Sequence, residues 1–527
     1  MNRLAYLSVK IPLTTNLFSM DSINVNGALY WLPENENDVI SLVNQAKEQG
    51  KVICIRGAAH SFPLIGNLES ESVNDKNLYV MLSKMNAVSI DKSNMSVTVQ
   101  AGCHLGLDPF DPTGISTLEN SLLYQLDLQG MAVGDLGGIT HQTIGGFLST
   151  GSSGGSTQYA FEEALMSVEV IICGTNGAEK VTYTRPNPDN PDDPFYAVGL
   201  ASMGLMGVIV SATFKCIPNF NITGNETIST VDDCRIDLFG NGSNGKPGFQ
   251  QFLEQTEYTR IIWWPQQFVT KSVVWQAKRA PYDPKNIKPY QEVPWIGGSA
   301  IPATLGADVL YTAMGTWPDW FGDLVGTNSK TYKDVVPVVN AAFKPFLFPA
   351  ICSVFVAPGV QQFSDVWYNG IPMDNQMGDR IMPVWFTELW IPINQSQAVM
   401  NDMKAFYASE KNCENTGIFC VEIYAAKNSE FWLSPAYQTD VIRIDIFWFA
   451  NSNGNPVDYY TKFWNLLRKY NFRPHWGKYM PDGSSAEWKG YLPSVYPKWN
   501  DWMNLRKQND PNGVFLNDYW RNNLQID

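Results

Sequence analysis

The sequence predicts an α+β protein built from two domains, or from one domain interrupted by another. Its 527 residues are too many for one hydrophobic core, although the apolar content of 44% is ordinary for a globular protein. Runs of β-branched residues bounded by glycine or asparagine alternate with stretches of helical periodicity. The composition changes after Pro218, where an Asn-, Gly- and Thr-rich segment begins. We therefore expect a first domain over residues 1–218 and a second domain from residue 219.

The first predicted elements are a helix and the strand that follows it. Residues 36–50 carry an apolar stripe at helical spacing that ends at Gly50, and residues 52–55 form an apolar run typical of a buried strand. The stripe consists of Val39, Ile40, Leu42, Val43 and Ala46. Further strand-like runs lie at residues 95–102, 165–174 and 207–217. Together these patterns predict an α+β or α/β first domain.

The second domain is predicted to mix strands with helices. Its strand-like runs are TRIIWWP, SVVWQA and VIRIDIFWF, and its helical stretches are VMNDMKAFYASE and DYYTKFWNLLRKY. The last stretch has an apolar face formed by Tyr459, Phe463, Leu466, Leu467 and Tyr470. An α+β substrate domain is the natural interpretation.

One glycine pattern in this half is interpreted as a connector. Residues 240–245 match the dinucleotide-binding pattern GxGxxG literally. However, Asn241, Asn244 and Pro247 mark a turn-rich loop, no βαβ unit surrounds it, and no helix is expected to begin cleanly there. The pattern therefore does not predict a nucleotide site.

Charge and cysteine usage exclude several classes of protein. The formal net charge is −14 and the pI is about 4.8, whereas nucleic acids and anionic membranes require a basic surface. No apolar run is long enough to predict a membrane span. The eight cysteines form no CxxC pair, which argues against a metal or dithiol site, and Cys54 and Cys173 lie in apolar strand-like runs. Because no signal-peptide pattern is evident, we expect a cytoplasmic location.

His60 is the first candidate functional residue. It follows the strand 52–55 in the segment KVICIRGAAHSFP. The turn Gly57-Ala58-Ala59 leaves almost no side-chain bulk beside the imidazole, so a large planar ligand can lie against the backbone there. The alternative interpretation is a structural histidine.

A glycine-rich segment over residues 130–155 is the second candidate. Successive unhindered amides form a nest that binds anionic oxygens, and Thr140, Thr143, Ser149 and Thr150 indicate a polar, ordered lining. The segment lacks the ending of a Walker loop and contains no GxGxxG. A flexible surface loop is the alternative.

Four ordered segments of the first half match one family. They are RGAAHSFP, SKMNAVSIDKSNMSVTVQAGCHLG, GDLGGITHQTIGGFLSTGSSGG and GLMGVIVSATFKCIP. In order, spacing and content they resemble the FAD-binding domain of the vanillyl-alcohol oxidase superfamily, over roughly residues 25–218. The resemblance implies a two-subdomain FAD-binding domain, with FAD bonded covalently through His60. Some relatives hold FAD without that bond.

The resemblance also implies which residues contact FAD. The expected contacts are Arg56, Gly57, Ala58, Ala59, His60, Ser61, Phe62, Gly134, Asp135, Thr140, Thr143, Gly145, Gly146, Ser149, Thr150, Ser152, Val208, Ile209, His475 and Asn517. Ser153 departs from the family, which often has histidine there. His104 and His141 lie off the motifs and are interpreted as structural.

The C-terminal half carries a second resemblance. VEIYAAKNSEFWLSPAY, VIRIDIFWF, RPHWGKYMP and NDPNGVFLNDYW resemble the substrate-side motifs of aldonolactone and alditol oxidases. Residues 237–281 are most similar to class II, covalently flavinylated cholesterol oxidases. These matches imply a substrate-binding cap over residues 219–480 and a C-terminal segment, 481–527, that returns to the FAD domain.

By this resemblance, Glu422 and Lys478 are the catalytic polar side chains that face the flavin. Burial of a glutamate in an apolar strand is costly, which is an independent reason to suspect function. Lys478 would polarise the substrate oxygen or stabilise reduced flavin. The alternatives are a solvent-facing glutamate and a surface lysine.

Two residues depart from the polyol oxidases. Tyr424 stands where those enzymes usually have arginine, and Phe447 stands where they tend to have threonine. A tyrosine offers one hydroxyl and a wide apolar face. We therefore expect an aromatic-lined, less polar pocket that includes Phe447 and Glu388, with Tyr424 as proton acceptor or substrate orienter.

The predicted function is that of an FAD-dependent oxidase acting on CH–OH. It would oxidise a small-molecule alcohol to a carbonyl and reduce O2 to hydrogen peroxide, with sugar alcohol, sugar lactone and sterol-like alcohol all open as substrates. The alternatives are a dehydrogenase of the same fold and a flavin-fold binding protein without turnover. No nucleic-acid partner, membrane span or metal is expected, and the oligomeric state is left open.

Overall fold

Two sheets form the first half of the chain. The computed structural model describes residues 20–61, 74–266, 269–291, 356–375, 384–409, 420–449 and 454–526. The first sheet consists of β1 (Asp21–Val25), β2 (Ala28–Leu32), β3 (Val52–Ile55) and β4 (Asn77–Val80), in the order β1-β2-β4-β3. Strand β4 runs parallel to both of its neighbours, so its register places β3 and the loop that follows it at the edge of this sheet.

The second sheet is antiparallel and has five strands. They are β5 (Val88–Asp91), β6 (Ser96–Gln100), β8 (Leu165–Gly174), β9 (Gly177–Thr184) and β10 (Val208–Lys215), in the order β5-β6-β10-β8-β9. The short strands β7 (Met131–Ala132) and β11 (Ile217–Pro218) pair with each other. The helices of this half are α1 (Glu36–Gln49), α2 (Leu122–Leu128), α3 (Ile144–Thr150) and α4 (Phe195–Val198).

An eight-stranded antiparallel sheet, here called the large sheet, dominates the second half. Its strands are β12 (Phe220–Thr230), β15 (Tyr258–Trp264), β16 (Lys271–Pro281), β17 (Gly359–Val366), β18 (Val384–Pro392), β19 (Val421–Ala426), β20 (Val441–Phe449) and β21 (Arg473–Pro474). Their order is β17-β12-β16-β15-β19-β20-β18-β21. Strand β19, which carries Glu422, therefore lies in the interior of the sheet.

Helices cover the large sheet and complete the C-terminal segment. They are α5 (Phe249–Gln255), α6 (Trp367–Gly370), α7 (Ser396–Ser409), α8 (Pro456–Leu467), α9 (Tyr491–Val495), α10 (Trp499–Asn509) and α11 (Asp518–Leu524). Within the described ranges, no helix is both long and apolar enough to cross a membrane. The Ile53 amide donates to the Val514 carbonyl at 2.8 Å, so the C-terminal segment contacts the first sheet.

The predicted α+β fold is confirmed, and most local predictions hold. Helix α1 has the expected bounds because Asn35 caps its first amides and Gly50 ends it in the left-handed conformation. Cys54 and Cys173 are buried thiols, and burial raises the pKa of Cys54 to about 12. The domain boundaries at residues 218 and 480 stay predictions.

The connector at residues 240–245 needs one correction. Its glycines form a hairpin between β13 (Gly242–Ser243) and β14 (Lys246–Pro247), with Asn244 and Gly245 at positive φ in the turn. A helix does begin beside it: α5 starts at Phe249, with Phe249 and Phe252 buried. The prediction that no helix begins here was wrong, because burial of the apolar side chains of α5 in the hydrophobic core stabilises the helix.

Candidate active site

A cavity of about 450 Å³ lies where the first half of the chain meets the large sheet. One wall is formed by the loop after β3, by α3 and by the start of β10. The facing wall is formed by β15, β18, β19 and β20 of the large sheet, and residues after β21 and before α11 also contribute. A cavity between two structural units is the usual place for a ligand.

The loop after β3 brings His60 to the cavity. A Cβ atom on Gly57 would lie 2.7 Å from Thr143 Oγ1, so glycine permits this loop to pack against the start of α3. Ala59 adopts φ +60°, an uncommon conformation that tertiary contacts must hold. The His60 ring lies 5.5 Å from the ring of His141, between centroids. The small-residue turn predicted beside His60 is thus a wall of the cavity.

Helix α3 supplies a second small-residue wall. Thr143 caps the helix by accepting a hydrogen bond from the Gly146 amide at 3.2 Å, and the Thr150 hydroxyl donates to the Gly146 carbonyl at 3.0 Å. A Cβ on Gly145 would lie 3.2 Å from Ala101. Glycine, threonine and serine at these positions leave room beside the backbone for a bulky ligand.

Most of the predicted cofactor residues line this one cavity. They are Arg56, Gly57, Ala58, Ala59, His60, Ser61, Thr143, Gly145, Gly146, Ser149, Thr150, Ser152, Val208, Ile209, His475 and Asn517. The predicted catalytic and pocket residues Glu388, Glu422, Tyr424, Phe447 and Lys478 line it as well. Phe62 lies outside the described residues. Residues from both ends of the chain are therefore brought together.

Gly134, Asp135 and Thr140 lie behind the cavity wall and do not line it. The Gly134 carbonyl accepts hydrogen bonds from Tyr258 and Arg279, and the Thr140 amide donates to Asn375 Oδ1 at 3.0 Å. Asp135 is completely buried, and burial raises its pKa well above the usual range. Gly134 and Thr140 thus tie the glycine-rich segment to the second half of the chain.

The large sheet presents a row of three carboxyl groups to the cavity. Strand register places Glu388 opposite Asp445, and Asp445 opposite Glu422. Directly opposed side chains have Cβ atoms about 5 Å apart, and like charges at that spacing are destabilising. All three are buried and line the cavity. Nearby cations or bound protons must therefore neutralise part of the negative charge of this row.

Two arginines provide the cations. Arg443 Nε donates to Glu388 Oε1 at 2.8 Å, and its Nη1 donates to the carbonyls of Ser153 and Gly154, each at 2.7 Å. The guanidinium also lies 4.9 Å from the centre of the Tyr424 ring. Arg260 enters from β15, with its Nε 3.6 Å from Glu422 Oε1.

The carboxyl groups of the row differ in pKa. Burial, and then the charge of Asp374, raise the pKa of Glu422 to about 8, against the opposing effect of Arg260. Burial and Glu388 likewise raise the pKa of Asp445. Burial would also raise the pKa of Glu388, but Arg443, His475 and Lys478 together outweigh it and the pKa is lowered. Because the groups interact, they titrate as one cluster.

Tyr424 is suited to orient groups and not to accept a proton. Its hydroxyl donates to Asp374 Oδ2 at 3.2 Å, and burial, with Asp374, raises its pKa well above the usual value. A phenol that stays protonated at neutral pH cannot act as a base. Of the two predicted roles, the structure supports the orienting one.

The predicted aromatic lining is present, and charged side chains accompany it. Tyr424 and Phe447 line the cavity together with Trp264, Tyr290 and Phe386. The missing arginine on β19 is replaced by Arg260 and Arg443 from the neighbouring strands β15 and β20. The substrate side of the cavity is therefore both aromatic and charged.

His475 and Lys478 complete the site from the turn after β21. His475 Nδ1 accepts a hydrogen bond from the Gly477 amide at 3.0 Å, and burial lowers the pKa of His475 to about 4, so the imidazole is neutral. Lys478 Nζ donates to the His60 carbonyl at 3.2 Å and lies 3.9 Å from the centre of the Phe386 ring. One lysine thus links the loop of His60 to the large sheet.

Sequence reasoning missed five charged residues of this wall: Glu226, Arg260, Asp374, Arg443 and Asp445. The sequence pattern around two of them, Arg443 and Asp445, could have identified them as site residues. In VIRIDIFWF, Arg443, Asp445 and Phe447 alternate with isoleucines, and this period of two puts them on one face of a strand. Two opposite charges inside such an apolar run indicate a polar cavity on that face.

Comparisons with known proteins agree with this geometry. Residues 28–107 match the FAD binding domain family. The structure resembles cholesterol oxidase from Brevibacterium sterolicum with a TM-score of 0.67 and 15% identity, covering 94% of each chain. It also resembles a chitooligosaccharide oxidase, with a TM-score of 0.57, 13% identity and coverage of 93% and 90%. These likenesses show the fold.

The residues of the cavity fit FAD. The walls around Gly57 and Gly145 are built from small residues, and the backbone beside them suits a planar group and anionic oxygens. His60, Ser61, Ser149, Thr150 and Asn517 are the polar side chains that would hold it. FAD is therefore the cofactor of this protein.

The second half of the chain identifies the family more closely. Residues 212–523 match the D-arabinono-1,4-lactone oxidase family. L-Gulonolactone oxidase of Mus musculus is 22% identical, with coverage of 93% of this chain and 94% of the mouse protein. D-Arabinono-1,4-lactone oxidase of Saccharomyces cerevisiae is 22% identical, with coverage of 93% of each chain. Since the family match spans more than half of the residues, this chain belongs to the D-arabinono-1,4-lactone oxidase family.

Proposed function

We propose that the protein oxidises a CH–OH group of a hydroxyl-rich sugar lactone or sugar alcohol to a carbonyl, with O2 reduced to hydrogen peroxide. The observation that carries the proposal is Glu422, a buried carboxyl with a pKa near 8 in the wall of the cofactor cavity. FAD, when bound, accepts a hydride from the carbon that carries the hydroxyl. A base with a pKa near the working pH is suited to take the hydroxyl proton.

The substrate class follows from the charges that face the cavity. Glu226, Arg260, Asp374 and Arg443 are charged groups in the cavity wall that suit a substrate with several hydroxyl groups, whereas a sterol would have to bury these charges against its apolar rings. The family relatives act on L-gulonolactone or D-arabinono-1,4-lactone by name. The likeness to cholesterol oxidase carries the fold alone.

The test is reduction of the protein-bound flavin by substrate without oxygen. We expect L-gulonolactone, D-arabinono-1,4-lactone or a sugar alcohol to bleach the flavin, and cholesterol to leave it oxidised. Glu422→Gln should slow reduction by about 100-fold or more, because proton acceptance by a positioned base contributes 10²–10⁴-fold. Equal rates of flavin reduction in the variant and the wild type would show that Glu422 does not accept the hydroxyl proton.

Reoxidation separates an oxidase from a dehydrogenase of the same fold. Reduced wild-type protein mixed with air-saturated buffer should regain its absorbance within seconds and release hydrogen peroxide. Reoxidation over minutes would favour another electron acceptor. A flavin that no alcohol reduces would favour a binding protein without turnover.

We also propose that FAD is bonded covalently through His60. The proposal is supported by the position of His60 in the cavity wall, beside a turn free of side-chain bulk. His60→Ala should leave flavin in the supernatant after acid precipitation, whereas the wild-type pellet stays yellow. His104→Ala is the matched control: it removes another imidazole that lines the cavity and leaves His60 in place, so the flavin should stay in the pellet. Yellow wild-type supernatant would contradict the bond.

A further inference from the structure

We propose that Arg260 is a catalytic residue that donates a hydrogen bond from Nε to the reacting oxygen of the alcohol, opposite Glu422. The inference rests on the proposed function and adds to it the group that binds the substrate oxygen. Arg260 lies in the strand-like run TRIIWWP, but it was not among the residues that the sequence predicted for the site. The evidence for its catalytic role is the geometry of its guanidinium.

Three neighbours fix the far end of that guanidinium. Nη1 forms an ion pair with Asp374, Nη2 donates to the Tyr290 hydroxyl at 3.0 Å, and Nη2 lies 3.7 Å from Glu226 Oε2. Only 4% of the side chain is exposed. A planar fork held at one edge presents its remaining N–H in a fixed direction.

The remaining donor, Nε, is buried and makes no hydrogen bond to any described residue. Its neighbour Glu422 Oε1 is 3.6 Å away, beyond the range of a normal N–H···O bond, and both residues line the cavity. The other guanidinium of the site differs, since Arg443 uses Nε on Glu388 and Nη1 on two backbone carbonyls. A buried donor left unused costs free energy, which a ligand oxygen would recover.

The gap between the two atoms suits one oxygen. Arg260 Nε and Glu422 Oε1 are 3.6 Å apart. A hydroxyl oxygen can therefore lie about 2.9 Å from both atoms and form a hydrogen bond with each. Such a hydroxyl accepts from Arg260 Nε and donates its proton to Glu422. The O–H bond breaks, Glu422 gains the proton, and the carbon gives up its hydride as described above, so the alcohol becomes a carbonyl. Negative charge that develops on the oxygen meanwhile faces the guanidinium.

This arrangement explains how the chain works without the arginine of the polyol oxidases. Register pairs Ile261 with Ile423 and Ile262 with Glu422, so Arg260 on β15 lies beside Tyr424 on β19. The guanidinium comes from the neighbouring strand, and Tyr424 helps to hold Asp374, which pairs with it.

The test compares Arg260→Gln and Arg260→Lys with wild type in anaerobic flavin reduction by L-gulonolactone and by sorbitol. We expect the limiting reduction rate to fall by about 100-fold in Arg260→Gln, the usual cost of removing one donor to a developing oxyanion. The pH midpoint of reduction should also rise, since Arg260 lowers the pKa of Glu422. Arg279→Lys is the control, because Arg279 does not line the cavity and binds Tyr258 and Gly134.

Each outcome is decisive. A rate and pH midpoint close to wild type in both Arg260 variants would overturn the proposal and leave the function standing. Wild-type flavin that neither compound reduces would overturn both. If Arg260→Gln fails to hold flavin, Arg260→Lys decides, because it keeps a positive charge beside Asp374 and Glu226 but has no Nε donor.

Discussion

At the scale of single residues, the ionisation of Glu422 sets the working pH. Burial and Asp374 favour its protonated form, and Arg260 favours its charged form. A base must be ionised to take a proton, so turnover should rise with pH through the apparent pKa of the cluster, near 8. Any change of charge beside Glu422 therefore moves the pH profile.

Asp374→Asn tests this balance. The substitution removes a negative charge and keeps the side-chain shape, so the pKa of Glu422 should fall and the rising limb of the pH profile should move to lower pH. Flavin reduction measured from pH 5 to pH 9 gives the midpoint, with an expected shift of about 1 unit. A midpoint that stays or rises would show that Asp374 acts mainly by holding Arg260.

The sequence revealed only part of this residue-level arrangement. Glu422, Lys478 and His60 could be found because each lies inside a motif with a strong resemblance. Arg260 and Asp374 could not, because they reach Glu422 through strand pairing and a distant segment. Tyr424 looked like a loss of polarity for the same reason: the compensating arginines lie on other strands.

At the scale of elements, local patterns predicted helices and strands well. Helix α1 was predictable from its stripe and its closing glycine, and β8 and β20 from their apolar runs. The order of the large sheet was not, since pairing of β15 with β19 joins segments far apart in sequence. Helix α5 was missed because burial of Phe249 and Phe252 outweighs the turn residues before it.

The start of β10 gives the element-scale prediction. Gly207 has φ +132°, and a Cβ there would lie 2.5 Å from the Ile171 carbonyl oxygen. Gly207→Ala should lower the free energy of unfolding by about 3 kcal/mol and reduce flavin content, since Val208 and Ile209 line the cavity.

Gly204→Ala is the matched control for that change. Gly204 also has positive φ, +73°, but a Cβ there meets no atom within 4 Å. Its cost should be about 1 kcal/mol, from backbone strain alone. Thermal and urea unfolding of both variants measure the difference, and equal costs would mean that the contact with Ile171 relaxes.

At the scale of the whole molecule, the two halves of the chain and its C-terminal segment enclose the cavity together, and several buried acids in the described residues have a raised pKa. Burial raises the pKa of Glu162 to about 6 and of Glu422 to about 8, and it also raises the pKa of Asp135 and Asp445. Groups with a raised folded-state pKa stabilise the fold fully below their unfolded pKa. That stability is lost as the pH rises through the folded pKa.

The protein should therefore lose thermal stability between pH 5 and pH 8, the range set by Glu162 and Glu422. Glu388, whose pKa is lowered, stays ionised across this range and does not offset the loss. Glu422→Gln removes one buried proton-binding group. Over the same pH range, the Tm of this variant should therefore fall by about 1–3 °C less than the Tm of wild type. Glu254→Gln, at an exposed position of α5, should follow wild type. Parallel curves for Glu422→Gln and wild type would mean that Glu422 does not bind its proton more tightly in the folded state, and the pH dependence of turnover would then need another source.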